Sequence, residues 1–135
     1  MITKIDHIGV AVVSIEETLK YYTGMLGLKL EEIEISSGNG VRTAIIRIGE
    51  SKIELLESLE PDGVITKFIG KKGEGLHHLG LEVSNISEAL EELKVKGAAL
   101  IDKVPKRGAQ NSNIAFLNPK EPKVLIELVE KKKAE

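Results

Sequence analysis

Few side chains in this chain can do chemistry at neutral pH, and four of them fall into a pattern. There is no cysteine, which removes thiol nucleophiles, zinc–thiolate sites and disulfides together. Three histidines occur in 135 residues. Two of them, His7 and His78, open stretches that resemble each other. A shift of 71 positions lays His7–Leu19 over His78–Leu90, with identities at 7/78, 9/80, 12/83, 15/86, 17/88 and 19/90. The copies also end alike, Lys52-Ile-Glu-Leu-Leu-Glu57 corresponding to Leu125-Ile-Glu-Leu-Val-Glu130. Each half therefore carries a histidine near its start and a glutamate, Glu54 or Glu127, near its end.

A carboxylate inside a run as apolar as Ile53-Glu54-Leu55 is costly to bury unless it is paired, protonated or bound to a metal. Taken singly, each His reads as a structural histidine and each Glu as a salt-bridge partner. Their matched recurrence in both copies points instead to His7, Glu54, His78 and Glu127 as ligands of one divalent ion. Without a thiolate, this set suits Co2+, Ni2+, Mn2+, Fe2+ or Zn2+. Four protein ligands on an octahedral ion leave two positions, room for a substrate with two adjacent oxygens.

The elements that must position these residues can be read from periodicity. Ile8, Val10 and Val12 alternate with His7, Gly9 and Ala11, as in a strand with a bulky face for packing and a small-residue face beside the histidine. The same holds for Leu79, Leu81 and Val83 against His78, Gly80 and Glu82. His77 points the other way and is left out of the ligand set. Ser14 is the expected cap of a helix, with Glu17 as its capping-box partner, and Ile15, Leu19, Tyr22 and Leu26 share one face. Gly24 and Gly27 mark its end. Asn85 caps the counterpart, which carries Ile86, Ala89, Leu90 and Leu93. Extended runs follow over 41–48 and 52–56, joined by Gly49-Glu50-Ser51, and over 114–117 and 124–129 around Asn118-Pro119. Each module reads β-α-β-β-β. Residues 61–73 between them form a short connecting helix with Val64, Ile65, Phe68 and Ile69 at helical spacing. The expectation is an α+β fold in one domain over 1–135. Module one covers about 3–58 and module two about 75–130, paired into a partly open, barrel-like mixed sheet around a metal cleft.

Composition excludes several classes. Hydrophobic residues are 41% and charged residues 30%, as in a globular protein, and the net charge of −2 gives no footing for nucleic acid. The basic run Lys131-Lys132-Lys133 reads as a solvated tail. No apolar stretch reaches membrane-spanning length and no signal peptide is visible, so a cytoplasmic protein without a membrane partner is expected.

These residues bring the chain near a known group. The repeated module with His and Glu in each copy resembles the vicinal-oxygen-chelate superfamily of glyoxalases, extradiol dioxygenases, fosfomycin- and bleomycin-resistance proteins and methylmalonyl-CoA epimerases. Ile5-Asp-His-Ile-Gly-Val-Ala, Lys52-Ile-Glu-Leu-Leu-Glu, Phe116-Leu-Asn-Pro-Lys and above all Lys71-Lys-Gly-Glu-Gly-Leu-His-His78 resemble the epimerase family. The resemblance implies a homodimer acting on methylmalonyl-CoA through a metal-stabilised enolate, with Co2+ the first expectation and Ni2+, Mn2+ or Zn2+ the others. Thr43 stands where some epimerases carry a glutamate, and Thr43 cannot serve as a base at neutral pH. The expected bases are therefore Glu54 and Glu127 on opposite faces of the substrate. Thr43, Ala109 and Gln110 are expected to contact it, the loop over 106–112 by offering backbone N–H groups and nearby lysines by meeting the phosphates of coenzyme A. A lactoylglutathione lyase would share the ligand set, and a metal-free drug-binding protein would share the fold. The aromatic content of 3% argues against the second.

Overall fold

A computed structural model describes residues 1–132, so Lys133 of the basic tail lies outside the described residues. The described residues divide into two compact units, one of residues 7–77 and the other of residues 1–6 with 78–132. The class is α+β, with eight strands among the described residues.

The unit of residues 7–77 holds the second half of β1 (Ile2–Ala11), α1 (Ile15–Leu19), β2 (Leu30–Ser36), β3 (Val41–Ile48), β4 (Ser51–Ser58) and α2 (Val64–Lys72). Its strand order is β2-β3-β4-β1, antiparallel except for the parallel pair β1–β4. Alternation assigns the faces as expected. Val12, Ala44, Ile46 and Leu55 pack with Ile15 of α1, and Val10 and Ile53 join them. The opposite face carries His7, Gly9 and Ala11 on β1, and Lys52, Glu54 and Leu56 on β4. It is not open along its whole length. Ala11 and Leu56 are covered by Ile65 of α2, with Phe68 and Ile69 alongside.

Two local expectations change. Ser14 does cap α1, its Oγ accepting the Glu17 N–H at 3.2 Å. Glu17 does not complete a capping box, because its carboxylate takes Lys20 Nζ at 3.1 Å. The helix also widens into a π-helix over Lys20–Met25, in which the Leu26 N–H reaches the Tyr21 carbonyl, five residues back. The extra residue per turn rotates the apolar stripe. Leu26 is 52% exposed, and Leu28 packs beside Tyr22 and Leu19 in its place.

The other unit holds the first half of β1, then β5 (Gly75–Val83, from residue 78), α3 (Ile86–Val95), β6 (Lys106–Arg107), β7 (Asn113–Leu117) and β8 (Leu125–Glu130). Its order is β1-β5-β8-β7-β6, with β5 and β8 parallel. Val83, Ile86, Ala89, Leu90, Ala115 and Leu128 form its core. The strand that answers β2 is reduced to the two residues of β6, since Pro105 lacks an N–H for a ladder. An isolated bridge between Leu100 and Leu117 carries the chain along the sheet instead.

The repeat extends to a device not read from the sequence. Glu57 Oε2 accepts the Ile15 N–H at 2.7 Å, and Glu130 Oε2 accepts the Ile86 N–H at 2.9 Å. The last glutamate of each module thus satisfies an orphan donor at its own helix start and adds charge that suits the dipole there.

Candidate metal and proton-transfer site

In the unit of residues 7–77, register places Lys52 beside His7 and Glu54 beside Gly9 across the parallel β1–β4 pair. Gly9 has no side chain, so the Glu54 carboxylate leans back toward the imidazole. His7 Nδ1 lies 3.7 Å from Glu54 Oε2, and both residues are buried. Lys52 Nζ lies 3.5 Å from the same oxygen, and Lys52 is 6% exposed. This lysine was missed in the sequence. Its signal was the two-residue spacing from Glu54, which puts both side chains on one face of β4.

The other unit repeats the arrangement. His78 pairs with Leu125 and Gly80 with Glu127. His78 Nε2 lies 3.1 Å from Glu127 Oε1, both again buried. The Phe116 ring stands edge-on to His78 with centroids 5.9 Å apart. Phe116 is the register partner of Glu127, as Ile45 is of Glu54. His77 points away, as expected, and stacks edge-on against Phe68 at 4.7 Å.

Each unit therefore brings together one imidazole and one carboxylate on the face opposite its helix. The donors fit a divalent ion, because a buried carboxylate beside a buried imidazole, at 3.7 Å in one unit and 3.1 Å in the other, forms a nitrogen–oxygen set that a borderline cation satisfies.

The remaining expected residues are less uniform. Thr43 is 5% exposed on β3, aligned with Leu56 and two residues from Ile45, hence on the Glu54 face. Ala109 and Gln110 lie in a 3-10 turn over Ala109–Asn111. Gln110 and Asn111 both have left-handed backbone, with φ of 54° and 59°, which costs energy in non-glycine residues. Arg107 Nη1 holds the turn by donating to the Asn111 carbonyl at 2.9 Å.

Lys131 departs from the solvated-tail reading. Its ammonium lies 3.0 Å from Glu82 Oε1 and 3.5 Å from Oδ1 of Asp6, a residue 1% exposed. Partial burial pulls the Lys131 pKa down, but the hydrogen bond to Glu82 and the charge of Asp6 outweigh it and leave it raised. Thr3 Oγ1 completes the group, 3.2 Å from Glu82 Oε2. The most specific run, Lys71–His78, has structural work as well. Gly73 and Gly75 adopt φ of 80° and 142° on either side of Glu74, whose Oε1 accepts the Val13 N–H at 2.7 Å.

The chain is similar to known proteins along nearly its whole length. A sequence model of the Glyoxalase/Bleomycin resistance protein/Dioxygenase superfamily matches residues 6–116. Mouse mitochondrial methylmalonyl-CoA epimerase is 36% identical over 127 residues, covering 93% of this chain and 71% of its own. The crystal structure of BH1468 from Bacillus halodurans is 46% identical with a TM-score of 0.94, covering 98% of this chain and 96% of that one. A Streptomyces coelicolor methylmalonyl-CoA epimerase variant in complex with 2-nitronate-propionyl-CoA is 32% identical with a TM-score of 0.94, covering 100% and 99%. With a His–Glu pair in each half and this likeness along nearly its whole length, the chain belongs to the glyoxalase/bleomycin resistance protein/dioxygenase superfamily, in its methylmalonyl-CoA epimerase family.

Proposed function

We propose that the chain is a metal-dependent epimerase that interconverts the (R) and (S) forms of methylmalonyl-CoA. The observation that carries this reading is the duplicated buried pair, His7 with Glu54 and His78 with Glu127, in a chain whose relatives include methylmalonyl-CoA epimerases. The chain is an isomerase. Its two pairs hold one divalent ion in common, Co2+ first and Ni2+, Mn2+ or Zn2+ next, within a single domain.

When bound, the ion supplies Lewis-acid stabilisation of the negative charge that develops on the substrate oxygens as the C2 proton leaves. The rest falls to the side chains. Epimerisation needs one group to take the proton from C2 and another to return a proton on the opposite face. Thr43 is on the right face of the sheet, but its hydroxyl has no basicity at neutral pH. That leaves Glu54 and Glu127, each a carboxylate shielded from water. One, as carboxylate, takes the proton from C2 while the other, in its carboxylic acid form, returns one on the opposite face, and the direction of reaction exchanges their parts. Thr43, Ala109 and Gln110 contact the substrate, whose carboxylate is met by backbone N–H groups of the turn after Gly108. The active form is a homodimer, and exposed apolar residues such as Ile2, Ile5, Met25 and Ile35 are available for the contact.

The test is proton NMR of methylmalonyl-CoA in deuterated water, with chelator and then with added Co2+. Loss of the C2–H signal that requires both enzyme and metal is expected. A verified metal-loaded sample that leaves this signal intact would refute the proposal.

A further inference from the structure

The two modules supply an internal control on one another. Beside its histidine, one module has Lys52 and the other Leu125, at the same register position of the same parallel strand pair. Leu125 shows that the second module has an apolar residue at the matching position. A buried lysine is costly by comparison, because its ammonium leaves water. The charge of Lys52 is thus particular to the first module, where it faces Glu54. Its Nζ lies 3.5 Å from Glu54 Oε2, and Lys52 and Glu54 are 6% and 4% exposed. The oxygen that receives the ammonium is also the one nearest His7 Nδ1, at 3.7 Å.

We propose that Lys52 is the resident counter-cation of Glu54, a positioning residue that compensates this carboxylate in the metal-free protein and opposes the divalent ion that takes its place. The inference rests on the metal-binding reading above. A carboxylate removed from water is stabilised by a nearby cation, and before a metal arrives Lys52 is the ammonium beside Glu54, at 3.5 Å. Once a dication shares the same carboxylate, the ammonium and the ion repel each other across a medium that screens weakly. Lys52 thus keeps the first module ordered while empty and loosens the hold on the ion. The second module carries no such cation at the matching position. The two glutamates, alike by repeat, are unlike in charge environment.

The experiment titrates CoCl2 into chelator-stripped protein by calorimetry, for the wild type, Lys52→Leu and Lys52→Arg, with Tm measured before and after saturation. Lys52→Leu copies the residue of the second module. It is expected to bind Co2+ about tenfold more tightly and to gain more in Tm on saturation. Lys52→Arg keeps the charge and should stay near the wild type. A packing defect alone would weaken binding in both variants, so tighter binding in Leu with rescue in Arg is particular to the charge. Unchanged or weaker binding in Lys52→Leu overturns the assignment while leaving metal binding and C2 exchange by the wild type intact. A wild type that binds no Co2+ overturns the metal reading itself. If Lys52→Leu does not fold in either state, Lys52→Gln is read in the same way.

Discussion

At the scale of single residues, the proposal divides the work between carboxylates by what surrounds each. Glu54 and Glu127 are buried beside imidazoles, whereas Glu57 and Glu130 spend their charge on helix starts. Glu54→Gln keeps an oxygen donor but no basicity. It should retain part of its metal affinity and lose at least about 10²-fold in the rate of C2–H exchange; substantial residual exchange by NMR would remove Glu54 from the proton path. Asp6 offers a test of stability instead. Its carboxyl is 1% exposed and is faced by Lys131, whose side chain is 44% exposed. Lys131→Met should cost about 1 kcal/mol in urea unfolding, a figure kept small because half-exposed pairs are screened. The sign with pH follows from the raised pKa. The Lys131 contribution is fully present below the ordinary lysine pKa and is lost as pH rises through the higher folded value. The gap between wild type and Lys131→Met should therefore be constant at neutral pH and close only in strong alkali.

Among the elements, the two helices that back the sheets start in the same way, with a side-chain cap and a glutamate from the last strand of the module. Glu57→Ala and Glu130→Ala should each cost about 1 kcal/mol, and the double variant about the sum, since they share no partner. Markedly more than additive loss in chemical denaturation would mean that the helix starts are coupled. The turn after Gly108 packs closely on β7. A Cβ on Gly108 would sit 2.5 Å from Ile114 Cγ2, on β7 beneath the turn. Gly108→Ala should destabilise by about 1–3 kcal/mol through overpacking. It should also raise KM more than it lowers kcat if the turn contacts substrate, a split that steady-state kinetics reads directly.

For the whole molecule, the shared-ion proposal has a stoichiometric consequence. One Co2+ per chain is expected by calorimetry, with a chelator-reversible rise in Tm. Two per chain, of similar affinity, would mean that each His–Glu pair holds its own ion. Sedimentation should give a species of twice 14.7 kDa. A monomer with full activity would leave the exposed apolar residues without that role. Among the described residues, no helix is long and apolar enough to cross a membrane.

Much of this was legible in the sequence because it depends on period and repetition. Alternation alone separates Val10 and Val12 from His7 and Gly9, and the structure packs the first pair on α1 while His7 faces Glu54. The duplication, with its histidines 71 positions apart and its glutamates 73, located both pairs, since a strand's side-chain face is set by parity and equivalent positions inherit it. The α+β class and the βαβββ order follow from the same signals, with β6 shortened at Pro105. Other features depended on where atoms come to rest after the chain has folded. A π-turn is set by packing against the sheet, so the exchange of Leu26 for Leu28 on the buried face has no periodic signature. Lys131 reaches Asp6 only because β8 and β1 lie in one unit with β5 between them, a closeness that 125 residues of separation conceals. Lys52 is the sharpest case. Its spacing to Glu54 was visible, but a lysine at such a position usually stretches to water, and only the burial of its ammonium against Glu54 turns a surface charge into part of the site.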